Sequence, residues 1–223
     1  MDWLVEIAAG FVGALLGFWF PAIQHRCYRE AAFRDDPASG TRLFALRAFA
    51  VPASALVCAL AFRPGQPNAL ESSLTAAACL LLVAISSTDF DRRRIPNLLV
   101  YPGILASLAA APLWSTRSIT DILLGGAAGL AAGIALLILG TIAGAAARSR
   151  ETAFGIGDAK LIFLIGLLVG WPAIARALVF GIIAAGVVAA VLILLRGRGA
   201  VYSYGPYLAA GAVVVLLWYD RFG

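Results

Sequence analysis

The chain has 223 residues, of which 62% are hydrophobic and 13% charged, and its mean hydropathy is +0.93. A soluble domain carries about 25% charged residues. The net charge of +5 comes from 17 basic and 12 acidic residues, and the basic ones cluster briefly between apolar runs, which marks membrane orientation rather than a nucleic-acid surface. A soluble enzyme and a nucleic-acid binder are thereby excluded, and the expected fold is an all-α, polytopic transmembrane helix bundle.

Trp3 to Ile23 is long enough to span a bilayer, which takes about 20 apolar residues. Met1-Asp2-Trp3 lacks the basic start of a cleaved signal, so this run is expected to stay as a helix. Its Gly10, Gly13 and Gly17 share a face suited to close helix contact. Residues 24–42 form a polar loop with four arginines. Leu43 to Phe62 is a second span, Arg63 to Asn68 a turn, and Leu74 to Thr88 a third span that ends at Asp89. The basic segment Asp89 to Asn97 follows, and Pro96 stops a helix from running through it. Leu98 to Trp114 is the fourth span. Ser118 caps the fifth, which reaches about Ala147 with Gly125, Gly129, Gly133, Gly140 and Gly144 as a packing face. After Phe154-Gly155-Ile156-Gly157-Asp158-Ala159-Lys160, a short sixth run extends from Leu161 to Trp171 and begins at Asp158 or Ala159. Ala173 to Leu195 is the seventh, and Tyr204-Gly205-Pro206-Tyr207 leads into an eighth that ends at Tyr219.

Eight spans are expected, six to eight allowing for the weak runs. Placing residues 24–42 inside puts twelve cations, Lys160 among them, on the cytoplasmic side, and leaves Arg63, Arg117, Arg176 and Arg221 on the other. Both termini then lie outside, and both Asp89 and Asp158 lie at the cytoplasmic face. The three cysteines, Cys27, Cys58 and Cys79, form no C-x-x-C pair, and His25 is the only histidine, so no metal site is expected.

A carboxylate at a membrane boundary is costly to desolvate and marks a functional site. Asp89 and Asp158 are two such carboxylates on one side. Close together, they would titrate as a pair, one holding a proton while the other acts as base toward water. That is peptide-hydrolysing chemistry without metal or cofactor. Gly155 and Gly157 would let an extended substrate strand lie close, or would simply turn the chain into a helix. Lys160 marks the cytoplasmic boundary or steadies an ionised Asp158. Asp91 rivals Asp89, although Arg92, Arg93 and Arg94 beside it favour a solvated ion pair. A serine or cysteine nucleophile would need a histidine base, and His25 is far from any suitable partner.

Asp89, seven residues before Pro96-Asn97, the Gly-x-Gly-Asp-x-Lys element at Gly155 to Lys160, and Tyr204-Gly205-Pro206-Tyr207 together resemble the type IV prepilin peptidases, integral-membrane aspartic proteases of bacteria. The resemblance covers roughly residues 75–223. It implies that Asp89 and Asp158 are catalytic, with Gly155, Gly157, Lys160, Pro96 and Asn97 positioning the substrate. It implies no cofactor for peptide cleavage, a prepilin or pseudopilin substrate with a short basic leader, and a home in the bacterial inner membrane. Residues 1–73 would be divergent N-terminal helices with a short cytoplasmic loop, and 74–223 the catalytic bundle of a single peptidase domain. Many members carry a larger cytoplasmic domain with two zinc-binding C-x-x-C pairs, and the family's N-methylation of the product is associated with that region. The loop here is short, so methylation is not expected. Two rivals stand beside this reading. One is another Gly-x-Gly-Asp intramembrane protease, of the presenilin, signal-peptide-peptidase or archaeal preflagellin kind. The other is a small proton- or cation-coupled transporter, whose sites usually lie nearer mid-membrane.

Overall fold

The computed structural model describes residues 2–27, 40–66, 68–146, 154–196 and 203–223, and these contain helices and no strand. The chain forms two compact units, Met1–Leu99 and Val100–Gly223.

The first unit contains α1 (Asp2–Cys27), α2 (Gly40–Ala61), α3 (Ala69–Arg92) and the start of α4 (Asn97–Ala110). α1 and α2 meet backbone to backbone on the expected glycine face. A Cβ at Gly13 would lie 2.8 Å from the Cβ of Cys58, and one at Gly17 would lie 2.6 Å from the Ala50 carbonyl oxygen. Lipid gives apolar helices no hydrophobic reason to associate, so this close fit supplies the packing attraction.

α3 starts at Ala69, five residues before the expected Leu74. Asn68, in an extended conformation, caps it by accepting the Glu71 N–H at 2.8 Å. It also continues past Thr88 to Arg92, where Arg93 turns left-handed (φ 53°) and its N–H closes onto the Asp89 carbonyl at 2.8 Å. Asp89 therefore stands inside the last turn of a helix, not at the first residue of a loop. Every residue from Leu82 to Asp89 is buried, which makes α3 the enclosed helix of this unit.

The second unit holds the rest of α4, a 3-10 turn (Ala111–Leu113), α5 (Ile119–Ala146), α6 (Ile156–Val169), α7 (Ala173–Arg196), α8 (Gly205–Leu217) and the short α9 (Tyr219–Phe222). Ser118 caps α5 as expected. Its N–H and hydroxyl donate to the Asp121 carboxylate at 3.0 and 2.6 Å, and its oxygen accepts the Asp121 N–H at 3.1 Å. The glycine face of α5 packs on α6. A Cβ at Gly129 would lie 2.6 Å from the Ile162 carbonyl oxygen, and one at Gly133 would lie 3.0 Å from the Cα of Ala159. Gly144 falls where side-chain surroundings are outside the described residues. α7 and α8 repeat the device, with a Cβ at Gly181 landing 2.8 Å from the Cα of Leu208.

Leu161, Ile162, Leu164 and Ile165 are all fully buried, so α6 is apolar on every side and forms the core of this unit. At its far end the buried Arg117 donates to the Leu168 carbonyl oxygen and stacks on Trp114, 3.6 Å from guanidinium carbon to ring centroid. A cation there also meets the negative end of the helix dipole.

Among the described residues five helices, α1, α2, α3, α5 and α7, are long and apolar enough to cross a bilayer. α4, α6 and α8 have 14, 14 and 13 residues, and at a rise of about 1.5 Å per residue they fall short of the ~30 Å hydrocarbon core. The expectation of eight spans thus has support from length in five. An apolar run signals burial in protein as readily as exposure to lipid.

Candidate active site

Each of the two predicted aspartates lies near an end of a largely enclosed helix, Asp89 in α3 of the first unit and Asp158 in α6 of the second, where α8 is enclosed as well. In the first unit, the last turns of α3 are polar but internally satisfied. Ser86 donates to the Leu82 carbonyl at 2.7 Å, and Ser87 and Thr88 donate to the Ala84 carbonyl at 2.9 and 3.0 Å. Hydroxyls that bond back into the helix let a polar stretch stay helical where no water reaches. Asp89 follows them and is 4% exposed.

Asp91 stands two residues on, about 200° around the helix from Asp89. Its carboxylate pairs with the Arg92 guanidinium at 3.4 Å. The expected ion pair forms, but the Asp91 side chain is 4% exposed, so the pair is enclosed rather than solvated. Asp91 also lines a cavity of about 300 Å³ with Ala45, Leu46, Phe49, Ser87 and Phe90. Pro96 is buried, and its carbonyl accepts the Leu99 N–H at 3.1 Å, while Asn97 is exposed at the start of α4.

In the second unit α6 begins at Ile156, before the expected Asp158 or Ala159, because Asp158 completes the cap. Oδ2 of Asp158 accepts the Gly155 N–H at 2.9 Å, and the Asp158 N–H donates back to the Gly155 carbonyl at 3.1 Å. A carboxylate in a first helical turn also faces the positive end of the dipole. Gly155, Gly157, Asp158 and Lys160 are thus gathered in one turn.

Two contacts here escaped the sequence reading. The Lys160 ammonium lies 5.0 Å from the Tyr101 ring centroid, over its face. Phe154 packs on Tyr204 at 5.3 Å between centroids, so the Gly-Ile-Gly-Asp and Tyr-Gly-Pro-Tyr stretches touch through their leading aromatics. Both stretches stood out in the sequence, and only folding could show that they meet. Asp89 belongs to one unit and Asp158 to the other.

Cys58 and Cys79 are buried in α2 and α3 and form no disulfide, and the side chains of Cys27 and His25 lie outside the described residues. Among the described residues no three His, Cys, Asp or Glu side chains gather at metal-binding range. The sequence holds three cysteines and no C-x-x-C pair, too few sulfurs for a four-cysteine zinc site.

Residues 76–195 match the sequence profile of the type IV leader peptidase family. The chain is 31% identical over 152 residues to a prepilin leader peptidase/N-methyltransferase of Aeromonas hydrophila, covering 66% of this chain and 50% of that protein. The proteins of the same name from Pseudomonas aeruginosa and Aeromonas salmonicida (strain A449) are 28% and 30% identical over 142 and 152 residues, covering 63% and 66% of this chain and 47% and 50% of theirs. The chain spans about half the length of the relatives it matches. No solved structure gives a significant match.

Proposed function

Because the chain belongs to the type IV leader peptidase family, we propose that it is a membrane-embedded aspartic endopeptidase that removes the short basic leader of type IV prepilins or pseudopilins. The observation that carries this reading is that the family-matched stretch, 76–195, contains both Asp89 and Asp158, each near an end of a largely enclosed helix.

In this mechanism the two carboxyls share one proton. The ionised one takes a proton from water as the water oxygen attacks the scissile carbonyl carbon, and the protonated one donates to the developing oxyanion. When the tetrahedral intermediate collapses, the C–N bond breaks, the proton taken from water passes to the leaving amine, and the proton lent to the oxyanion returns to the carboxyl that gave it as the carbonyl re-forms. The dyad ends as it began.

Gly155 and Gly157 leave room for the substrate strand beside Asp158, Pro96 and Asn97 shape the chain after Asp89, and Lys160 stands at the boundary. The enclosed Asp91–Arg92 pair supports a structural rather than catalytic role for Asp91. The protein would work in the bacterial inner membrane as a single peptidase domain, with eight apolar helices, both termini outside and both aspartates at the cytoplasmic face. Leader removal without N-methylation is the activity assigned.

The test is cleavage of a co-expressed prepilin, followed as loss of leader mass, by the wild type and by Asp89→Asn, Asp158→Asn and Asp91→Asn. Loss in the first two variants with retention in the third is expected. Cleavage that survives both Asp89→Asn and Asp158→Asn would refute the aspartic mechanism.

A further inference from the structure

Gln24 lies in α1, is 1% exposed, and donates through Nε2 to the hydroxyl oxygen of Ser87 in α3, which is fully buried. The amide's orientation follows from the partner. Ser87 spends its own proton on the Ala84 carbonyl, so its oxygen is left to accept, and Gln24 must present N–H rather than C=O. A glutamine buried this deep is costly unless it is hydrogen-bonded. Ser87 lies two residues before Asp89, about 200° around α3, so Gln24 grips the helix on the side opposite the acid. The grip falls on a segment whose three hydroxyls compete for helix carbonyls, just before the left-handed stop at Arg93. Such a helix end is prone to fray or bend.

We infer that Gln24 is a positioning residue of the peptidase: through Ser87 it braces the last turns of α3 from behind and fixes where the Asp89 carboxyl stands. The inference rests on the peptidase reading above. A carboxyl that drifts by about 1 Å from its reactive placement costs up to about a hundredfold in rate. Because the share of one proton between two acids depends on their separation, a displaced Asp89 also changes the pH profile.

The test compares wild type with Gln24→Met, which keeps the side chain's length and packing and deletes the hydrogen bond, and with Ser87→Ala, which deletes it from the other end. The expected result is a fall in kcat of about tenfold with KM within about twofold of wild type, and a pH optimum displaced in the same direction in both variants. The double variant should be no worse than the more damaged single one, since both remove one bond. Amide hydrogen exchange over residues 85–92 should rise in Gln24→Met whether or not a cleavable prepilin has been found. Wild-type kcat and pH profile in Gln24→Met, unchanged exchange over 85–92, or loss of folded protein in both variants would overturn the inference. A wild type that cleaves no prepilin would count against the peptidase reading instead, and the exchange measurement would still decide whether Gln24 braces α3.

Discussion

Replacing Gly129 by alanine tests the claim that α6, and Asp158 with it, is held by backbone contact with α5. The added methyl would sit 2.6 Å from the Ile162 carbonyl oxygen and 3.3 Å from the Cα of Gly166. Ordinary contact begins at 3.4 Å, so the helices must part by about 0.8 Å at that point. Neither obstacle is a side chain that can swing aside. α6 is anchored at one end by the Gly155–Asp158 cap and at the other by Arg117 on the Leu168 carbonyl, so it cannot slide freely. Overpacking of this kind costs about 1–3 kcal/mol, which for a chain of this size lowers the unfolding midpoint by roughly 2–12 °C. Moving α6 also moves Asp158, so cleavage should fall by more than the loss of folded protein explains. The assay is thermal unfolding of purified protein in detergent beside cleavage per folded molecule. Gly186→Ala is the control, because a Cβ there meets nothing within 4 Å and the change should be silent. Gly129→Ala at wild-type stability and activity, or equal damage from Gly186→Ala, would refute the reasoning.

Arg117→Lys should destabilise by about 1–3 kcal/mol although the charge is kept, because the planar guanidinium stacks on Trp114 and Tyr219 while capping Leu168. The loss would show as a lower unfolding midpoint with KM unchanged. For the aromatic contact, a double-mutant cycle of Phe154→Ala and Tyr204→Ala should return a coupling of about 0.5–1.5 kcal/mol in stability. A coupling of zero would mean the rings are only neighbours.

Much of this was written plainly in the chain. The glycines at 13, 17, 125, 129 and 133 announced helix faces, Ser118 announced a cap, and Pro96 announced a break. Element ends were harder to read, for a local reason in each case. Leu74 to Thr88 read as a span that ends at Asp89, yet the hydroxyls of Ser86, Ser87 and Thr88 bond to helix carbonyls and need no water, and α3 runs on to Arg92. Gly155 and Gly157 read as loop, yet the Asp158 carboxylate serves as a cap and starts α6 early. The apolar runs of α6 and α8 are short and largely covered by protein, which composition does not record, while α4 is short but mostly exposed. The pairs Gln24–Ser87, Phe154–Tyr204 and Lys160–Tyr101 were illegible for another reason, since partners tens of residues apart in sequence declare nothing until the chain has packed.

The glycine contacts of α1 on α2, α5 on α6 and α7 on α8 have an evolutionary corollary. Wherever main chain rests on main chain, the smallest step the genetic code allows from glycine adds at least a methyl group, and that methyl displaces a whole helix. Gly13, Gly17, Gly125, Gly129, Gly181 and Gly211 therefore have no neutral neighbours in sequence space. Exposed apolar positions such as Leu105, Leu139 and Leu194 can drift among aliphatic residues with little consequence. A library of single substitutions selected for function would draw the helix pairs directly, as stripes of intolerance about one turn apart on otherwise permissive sequence.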